Sequence, residues 1–343
     1  VLLFRARGLD LAEISLLVSC YGITTAVCEL PTGGLADVLG RRPVLMAAAV
    51  LFVAHALLHG LGQTLPVLAL GSVVGGLARA LDSGPLQAWF VDTVHGVDAD
   101  ADLKPGLARG MAIGAAALGA GALAGGALVS LAPLPTRGAA VVSLSVPFLV
   151  SAAISVVSTV AIARWVREPA RERRLGFRAV IVRVPVTVRT GVRLAARPGA
   201  LRRMTLLSAC LGVTLVGVEL LSPVSFAQLV GGEDSAAGPY SVLVMLAFFG
   251  TSAGSSIAPL TAQLPRSPAR ALGVATLLAS IAALGIAVPG FAFAATAFVA
   301  LYVLLGIGEP LASDITHRAA QSNERALPRA VDASGFTVSA DGE

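Results

Sequence analysis

Charge is scarce in this sequence. Asp, Glu, Lys and Arg together make up 13% of its 343 residues, and every basic residue except Lys104 is Arg. A soluble domain carries about 25% charge, so this chain has too little to cover a water-facing surface. Aromatic residues are only 5%. No basic patch interleaved with aromatics occurs, which excludes a nucleic-acid surface despite the net charge of +5 and pI near 9.7. Cysteine is confined to Cys20, Cys28 and Cys210. None sits in a CxxC or metal-like spacing, so they read as small apolar side chains, not as a disulfide framework or redox centre. Also missing are His-Glu-x-x-His, a phosphate-binding Gly-Lys-Ser/Thr loop, and any Ser/His/Asp arrangement in a polar segment. The reading is therefore no enzyme, no cofactor, no metal and no nucleic-acid partner.

What the chain has is apolar length. Hydrophobic residues reach 56%, and the mean hydropathy is +0.83. About 20 mostly apolar residues cross a bilayer core as a helix. Nine such stretches can be marked: Leu11–Gly33, Pro43–Gly62, Pro66–Thr93, Gly106–Leu131, Gly138–Ala163, Leu201–Val230, Pro239–Gln263, Ala269–Pro289 and Gly290–Ala312. Glycine recurs inside them, most densely from Gly114 to Gly126, where small side chains allow close helix approach.

The basic residues fix an orientation. Loops must alternate between the two sides of the membrane. One set holds Arg41 and Arg42, Lys104 and Arg109, the twelve Arg from Arg164 to Arg203, Arg266 and Arg270, and Arg318, Arg325 and Arg329. The other set holds only Arg5, Arg7 and Arg137, while Arg79 lies within a span. By the positive-inside rule the Arg-rich side is cytoplasmic, and the acidic loop Gly231–Gly238 faces outward. The long loop Arg164–Arg203 separates two apolar halves. Its segment Gly176–Pro198 suits an amphipathic helix on the inner leaflet.

Ionisable groups inside a span are costly and are functional candidates by default. Glu29, Arg79, Asp82, Glu219 and Glu309 are the candidates for coupling or substrate contact. Glu219 lies near the middle of its span, where a carboxyl could take up and release a proton. Glu309 precedes Pro310, which suggests a helix break there. Arg79 and Asp82 stand three apart on one helix face and can neutralise each other. His55 and His59 are spaced i, i+4, as metal ligands can be, but no third ligand lies nearby.

The sharpest local pattern is Gly33-Gly-Leu-Ala-Asp37-Val-Leu-Gly40-Arg41-Arg42. It resembles the cytoplasmic signature of the major facilitator superfamily, G-x-x-x-D-(R/K)-x-G-R-(R/K), between that family's second and third helices. Val38 departs from it, standing where a basic residue is usual. Arg79-Ala-Leu-Asp-Ser-Gly84 is similar to a second family pattern, in the fourth helix, linked there to proton coupling. The resemblance implies a gating role for Gly33, Asp37, Gly40, Arg41, Arg42 and Asp92, with an Arg41–Asp92 ion pair that favours the outward-open state. Asp37 would face the N-terminus of a neighbouring helix. Pro85–Asp92 and Pro310–Asp314 look faintly alike, as repeated halves would.

The expected fold class is all-α: a polytopic membrane protein of two pseudo-symmetric helix bundles with about nine complete transmembrane helices. The N-terminal bundle would span 1–165, a basic cytoplasmic linker 166–200, the C-terminal bundle 201–312 and a polar tail 313–343. On the family pattern Val1–Phe4 ends the first helix and Ala312 ends the tenth, so the chain reads as an incomplete copy. The expected function is proton-coupled efflux of a small drug-like or metabolite molecule by alternating access, in a bacterial inner membrane. The expected partners are that substrate, protons and the lipid bilayer, with the protein as a monomer. The rival expectation is a non-transporting sensor or scaffold on the same fold.

Overall fold

The computed structural model describes residues 1–98, 103–132, 134–135, 138–168, 199–231, 233–263 and 267–333. The amphipathic segment expected within Gly176–Pro198 lies outside them, as does the tail from Ser334. Among the described residues the secondary structure is helical throughout, without a strand.

Among the described residues eleven α-helices follow one another: α1 Leu2–Ala6, α2 Leu11–Leu39, α3 Arg41–Leu61, α4 Leu65–Asp82, α5 Pro85–His95, α6 Lys104–Leu131, α7 Val146–Trp165, α8 Ala200–Leu229, α9 Glu233–Gln263, α10 Pro268–Gly285 and α11 Phe291–Ala333. Eight spans among the described residues are long and apolar enough to cross a bilayer, and α6 adds the apolar stretch Ala116–Leu131. Large apolar side chains such as Ile23, Val27, Ile154, Val157, Leu277 and Ile281 are exposed. In water that surface would aggregate; in hydrocarbon it needs no cover.

The helix ends follow local chemistry. Asp10 caps α2, accepting from the Glu13 N–H at 2.8 Å, while the Glu13 carboxylate accepts from the Asp10 N–H at 2.9 Å. This is a reciprocal capping box. Pro66 and Pro85 sit in the first turns of α4 and α5, where a missing N–H costs nothing. The span Leu65–His95 is nevertheless broken between α4 and α5. Gly84 takes φ +94°, a conformation that side chains resist, and Pro85 restarts the helix.

One expectation needs correction. No break occurs at Glu309-Pro310: α11 runs unbroken from Phe291 to Ala333. Proline is tolerated in membrane helices when packing holds them. Here a Cβ on Gly306 would meet the Thr251 carbonyl oxygen at 2.2 Å, so α11 is pressed against α9 just before the proline.

By internal contacts the chain divides into two compact units. The first comprises Val1–Arg189 with Glu219–Leu246, and the second Thr190–Val218 with Ala247–Glu343. In the first, α4 packs against α2 and α3, and α3 also packs against α7. Two cores serve this unit. One gathers Leu3, Phe4, Ile14, Leu17, Leu68 and Leu144. The other joins Ala36, Val44, Ala48 and Leu81, beneath the loop that carries Gly40 and Arg41. The second unit packs α10 on α11 around Ala258, Leu272, Ala275, Ile307 and Leu311.

Close crossings in both units rest on glycine opposite a hydroxyl. In the first, Thr25 Oγ1 of α2 donates to the Gly76 carbonyl of α4 at 3.2 Å. Thr32 Oγ1 donates to the Ala80 carbonyl at 2.9 Å. In the second, Ser255 Oγ of α9 donates to the Gly306 carbonyl of α11 at 3.0 Å. Thr251 Oγ1 donates to the Tyr302 carbonyl at 3.3 Å. A Cβ on Gly76 would lie 2.5 Å from the Tyr21 carbonyl oxygen, and one on Gly254 2.1 Å from that of Val303. The Thr25–Gly76 and Ser255–Gly306 bonds close the same 51 residues of chain, and so does the Thr251–Tyr302 bond.

Candidate functional site

The motif residues build a polar clasp where the start of α3, the helix α5 and the end of α7 meet. Gly40 ends α2 and caps α3 with φ +100°. Only glycine adopts that conformation without strain, and a Cβ there would also sit 2.9 Å from the Glu168 carboxyl. The sharp turn delivers Arg41 and Arg42 to the first turn of α3.

The expected Arg41–Asp92 contact is present. Arg41 Nε donates to Asp92 Oδ2 at 2.8 Å, and the same oxygen lies 2.7 Å from a second guanidinium nitrogen. Arg41 is 13% exposed and Asp92 36%, so the pair is partly shielded from water. It ties α5 to the start of α3.

Glu168 completes the clasp. Its two carboxylate oxygens accept from the backbone N–H groups of Arg41 and Arg42, each at 2.9 Å. Those N–H groups have no partner within α3, and the positive end of the helix dipole favours a carboxylate there. Two further bonds close the ring. Arg42 donates to the Ala163 carbonyl in the last turn of α7, and Trp89 Nε1 of α5 donates to the Arg167 carbonyl at 2.7 Å. Glu168 was not legible from the sequence, where it reads as one acid in an Arg-rich loop. Its only signal is its place three residues past the end of α7. The surroundings of Gly33 and the side chains of Asp37 and Val38 lie outside what the structure describes, so the helix end expected to face Asp37 is not identified.

The C-terminal end of α3 is held by the opposite charge. The Arg7 guanidinium donates to the carbonyls of His59 at 2.7 Å, Gly60 at 2.6 Å and Gly62, and to Ser145 Oγ at 3.2 Å. These carbonyls are the unpaired acceptors of the helix C-terminus. Burial lowers the Arg7 pKa, while its four acceptors favour the charged form.

The intramembrane candidates fall into separate places. In the first unit, Arg79 lies 3.8 Å from Asp82, and Ser83 Oγ donates to Glu29 Oε1 at 2.8 Å. Three candidate residues, Glu29, Arg79 and Asp82, thus gather around the break between α4 and α5. Glu219 stands on α8 with its side chain exposed. One turn on, Ser222 Oγ and Tyr240 Oη are 2.9 Å apart. Glu309 stands in the second unit, on the wall of a cavity of about 530 Å³ between α8, α10 and α11. His55 and His59 stack with ring centroids 4.4 Å apart. Each sets a ring nitrogen on a carbonyl of α4, Gly71 at 2.8 Å and Leu68 at 3.1 Å. They pack against Gly75 and Gly71 and serve the α3–α4 contact. Among the described residues no group of three or more His, Cys, Asp or Glu could hold a metal.

The comparisons agree with this architecture. The structure is similar to that of the xylose transporter XylE from E. coli in a partially occluded inward-open conformation, with a TM-score of 0.51 and 17% sequence identity over 90% of this chain and 79% of that one. At that identity the likeness concerns the fold. No curated protein matches the sequence. The family model of the Major Facilitator Superfamily matches residues 1–337. Membrane-spanning helices, paired crossings and the clasp of Arg41, Asp92 and Glu168 therefore meet in one assignment: the chain belongs to the Major Facilitator Superfamily, a family of membrane transporters.

Proposed function

We propose that this protein is a secondary transporter that exports a small drug-like or metabolite molecule in exchange for protons, by alternating access. The observation that carries the reading is the clasp of Arg41, Asp92 and Glu168, where α3, α5 and the end of α7 meet. A set of charge-assisted bonds at one end of several spans is a two-state element: made, it holds those ends together, and broken, it frees them. Gly33, Asp37, Gly40, Arg41, Arg42 and Asp92 form the gate in this reading. Glu29, Arg79, Asp82, Glu219 and Glu309 are the candidates for proton or substrate contact. The charge asymmetry supports a clasp on the cytoplasmic side of a bacterial inner membrane, with the other Arg-rich loops.

The test is flux in proteoliposomes under an imposed pH gradient. Saturable, gradient-dependent movement of an organic solute, abolished by a protonophore, is the expected result. For Glu219→Gln the expectation is loss of gradient-driven transport with normal insertion. Unchanged proton-coupled flux in that variant would remove Glu219 from the coupling role. Absence of any gradient-dependent flux in the parent protein would favour a non-transporting scaffold.

A further inference from the structure

The span Leu65–His95 is cut at Ser83-Gly84, and the cut is held from α2. In an unbroken helix the Ala80 carbonyl would accept from the N–H of residue 84. The turn at Gly84, φ +94°, redirects that donor, and Thr32 Oγ1 donates to the Ala80 carbonyl at 2.9 Å instead. One turn back on α2 stands Glu29, whose Oε1 accepts from Ser83 Oγ at 2.8 Å. Glu29 and Thr32 are three apart, so both lie on the α2 face turned to the broken end of α4. The two bonds differ in one respect. A carbonyl keeps its acceptor strength at every pH, whereas a bond to a carboxylate weakens when the acid takes up a proton.

Beyond the cut, α5 has little apolar anchorage. Of its 11 residues Pro85 alone is buried. Its position rests on polar bonds at both ends: Ser83 to Glu29 just before its start, and Trp89 to the Arg167 carbonyl and Asp92 to Arg41 at the clasp. Phe90 adds a contact with Gly106 of α6, where a Cβ would lie 2.3 Å from the ring. An element with few buried apolar contacts opens at low free-energy cost.

We propose that Ser83 is a positioning residue that transmits the charge state of Glu29, through α5, to the Arg41–Asp92 pair. With Glu29 ionised, the charge-assisted bond fixes the start of α5, and Asp92 is presented to Arg41. With Glu29 protonated, the acceptor is neutral, the start of α5 loosens, and the clasp weakens with it. The proton is drawn from water and returned to it. The ionisable groups around Glu29 are Arg79 and Asp82 of α4, paired at 3.8 Å; Arg41 and Arg42 at the start of α3, bonded to Asp92 and the Ala163 carbonyl; and Tyr21, two turns back on α2. The inference rests on the transporter reading, for which it gives the gate a proton-dependent control.

Trp89 supplies the probe, because the one other tryptophan is Trp165, exposed at the end of α7. The experiment is acrylamide quenching of Trp89 in the full chain carrying Trp165→Phe, in phosphatidylcholine nanodiscs, from about pH 7.5 to about pH 4, which spans ordinary carboxylate titration. Quenching should rise at least twofold toward the acid end and reverse on return to neutral pH. Glu29→Gln should hold it at the high level at every pH, and so should Ser83→Ala, while Ser83→Thr should restore the pH profile. A hydroxyl with only a packing role would shift the level and leave the profile in place. Quenching that does not change with pH overturns the proposal. So does a profile that Glu29→Gln leaves intact, which would put the titration on another acid such as Asp92. Should Glu29→Gln fail to fold, the contrast of Ser83→Ala with Ser83→Thr carries the test, and equal profiles in the two overturn the proposal. The two readings fail separately. Glu29-dependent quenching without gradient-driven flux sinks the transport reading and leaves the link through Ser83. Gradient-driven flux with Glu29-independent quenching does the opposite.

Discussion

The crossing of α2 with α4 and the crossing of α9 with α11 are built alike and finished differently. Each sets a hydroxyl on a glycine carbonyl over the same stretch of chain. Around the first, opposite charges hold the ends of α3: Glu168 on its N-terminus and Arg7 on its C-terminus. Around the second, α10 follows Ser267 with no side-chain cap, and Ala271 near its start is buried. The shared part is packing, which a membrane bundle needs wherever helices approach closely. The differing part, among the described residues, is the charged capping of helix ends seen in the first unit.

The largest effect should come from breaking what the two crossings share. Gly76→Val and Gly306→Val each force a side chain onto a backbone oxygen, at 2.5 Å and 2.2 Å for the Cβ alone. Backbone cannot yield as a side-chain tip can, so each change should destabilise by about 3 kcal/mol or more. The check is the yield and melting temperature of detergent-purified protein. Gly273→Ala, with nothing within 4 Å of the added carbon, is the control and should leave both unchanged. A bundle that tolerates Gly306→Val but not Gly76→Val would show that the equivalence is only geometric.

This shared part was only half legible in the sequence. Hydropathy marks the spans, because crossing hydrocarbon is a local demand on about 20 consecutive residues. The Gly40-Arg41-Arg42 turn and its Asp92 contact were legible because the turn is local and the family pattern names its partner. The pairing of Thr25 with Gly76 and Ser255 with Gly306 was not, since hydroxyls and glycines are common throughout the chain and nothing local selects a pair. Arg7 and Glu168 escaped for a related reason: each caps a helix distant in sequence, through bonds to backbone atoms that carry no residue identity. The break expected at Pro310 failed because a local rule met a tertiary contact, the seat of Gly306 on α9, that holds the helix straight through.

The next effects concern the charged helix caps described in the first unit. Arg7→Ala leaves three carbonyls and the Ser145 hydroxyl without their donor, and should cost about 2 kcal/mol. It should be seen as a lowered melting temperature with little change in transport selectivity. Glu168→Gln keeps the shape of the cap and removes the charge, so the loss should be about 1 kcal/mol. A double-mutant cycle of Arg41→Ala with Asp92→Ala should give a coupling near 1 kcal/mol, kept small because Asp92 is partly exposed. All three should be larger than any effect of Ala271→Ser in the second unit. A comparable loss there would mean that charge is not what separates the two.

The smallest expected effect on stability lies at Arg79, and it sharpens the comparison most. Arg79 and Asp82 are 3.8 Å apart and 55% and 43% exposed, a geometry in which an ion pair contributes little. Arg79→Gln should change the melting temperature by less than the equivalent of about 0.5 kcal/mol. If Arg79 contacts proton or substrate, gradient-driven flux should nevertheless fall at least tenfold. A residue kept for packing or neutralisation alone gives the reverse result, with flux preserved and stability reduced. The same pair of measurements on Glu309→Gln asks whether the acid within a span of the second unit is also functional. Loss of flux at both with stability intact would mean that both units keep a charge within a span for use and not for folding.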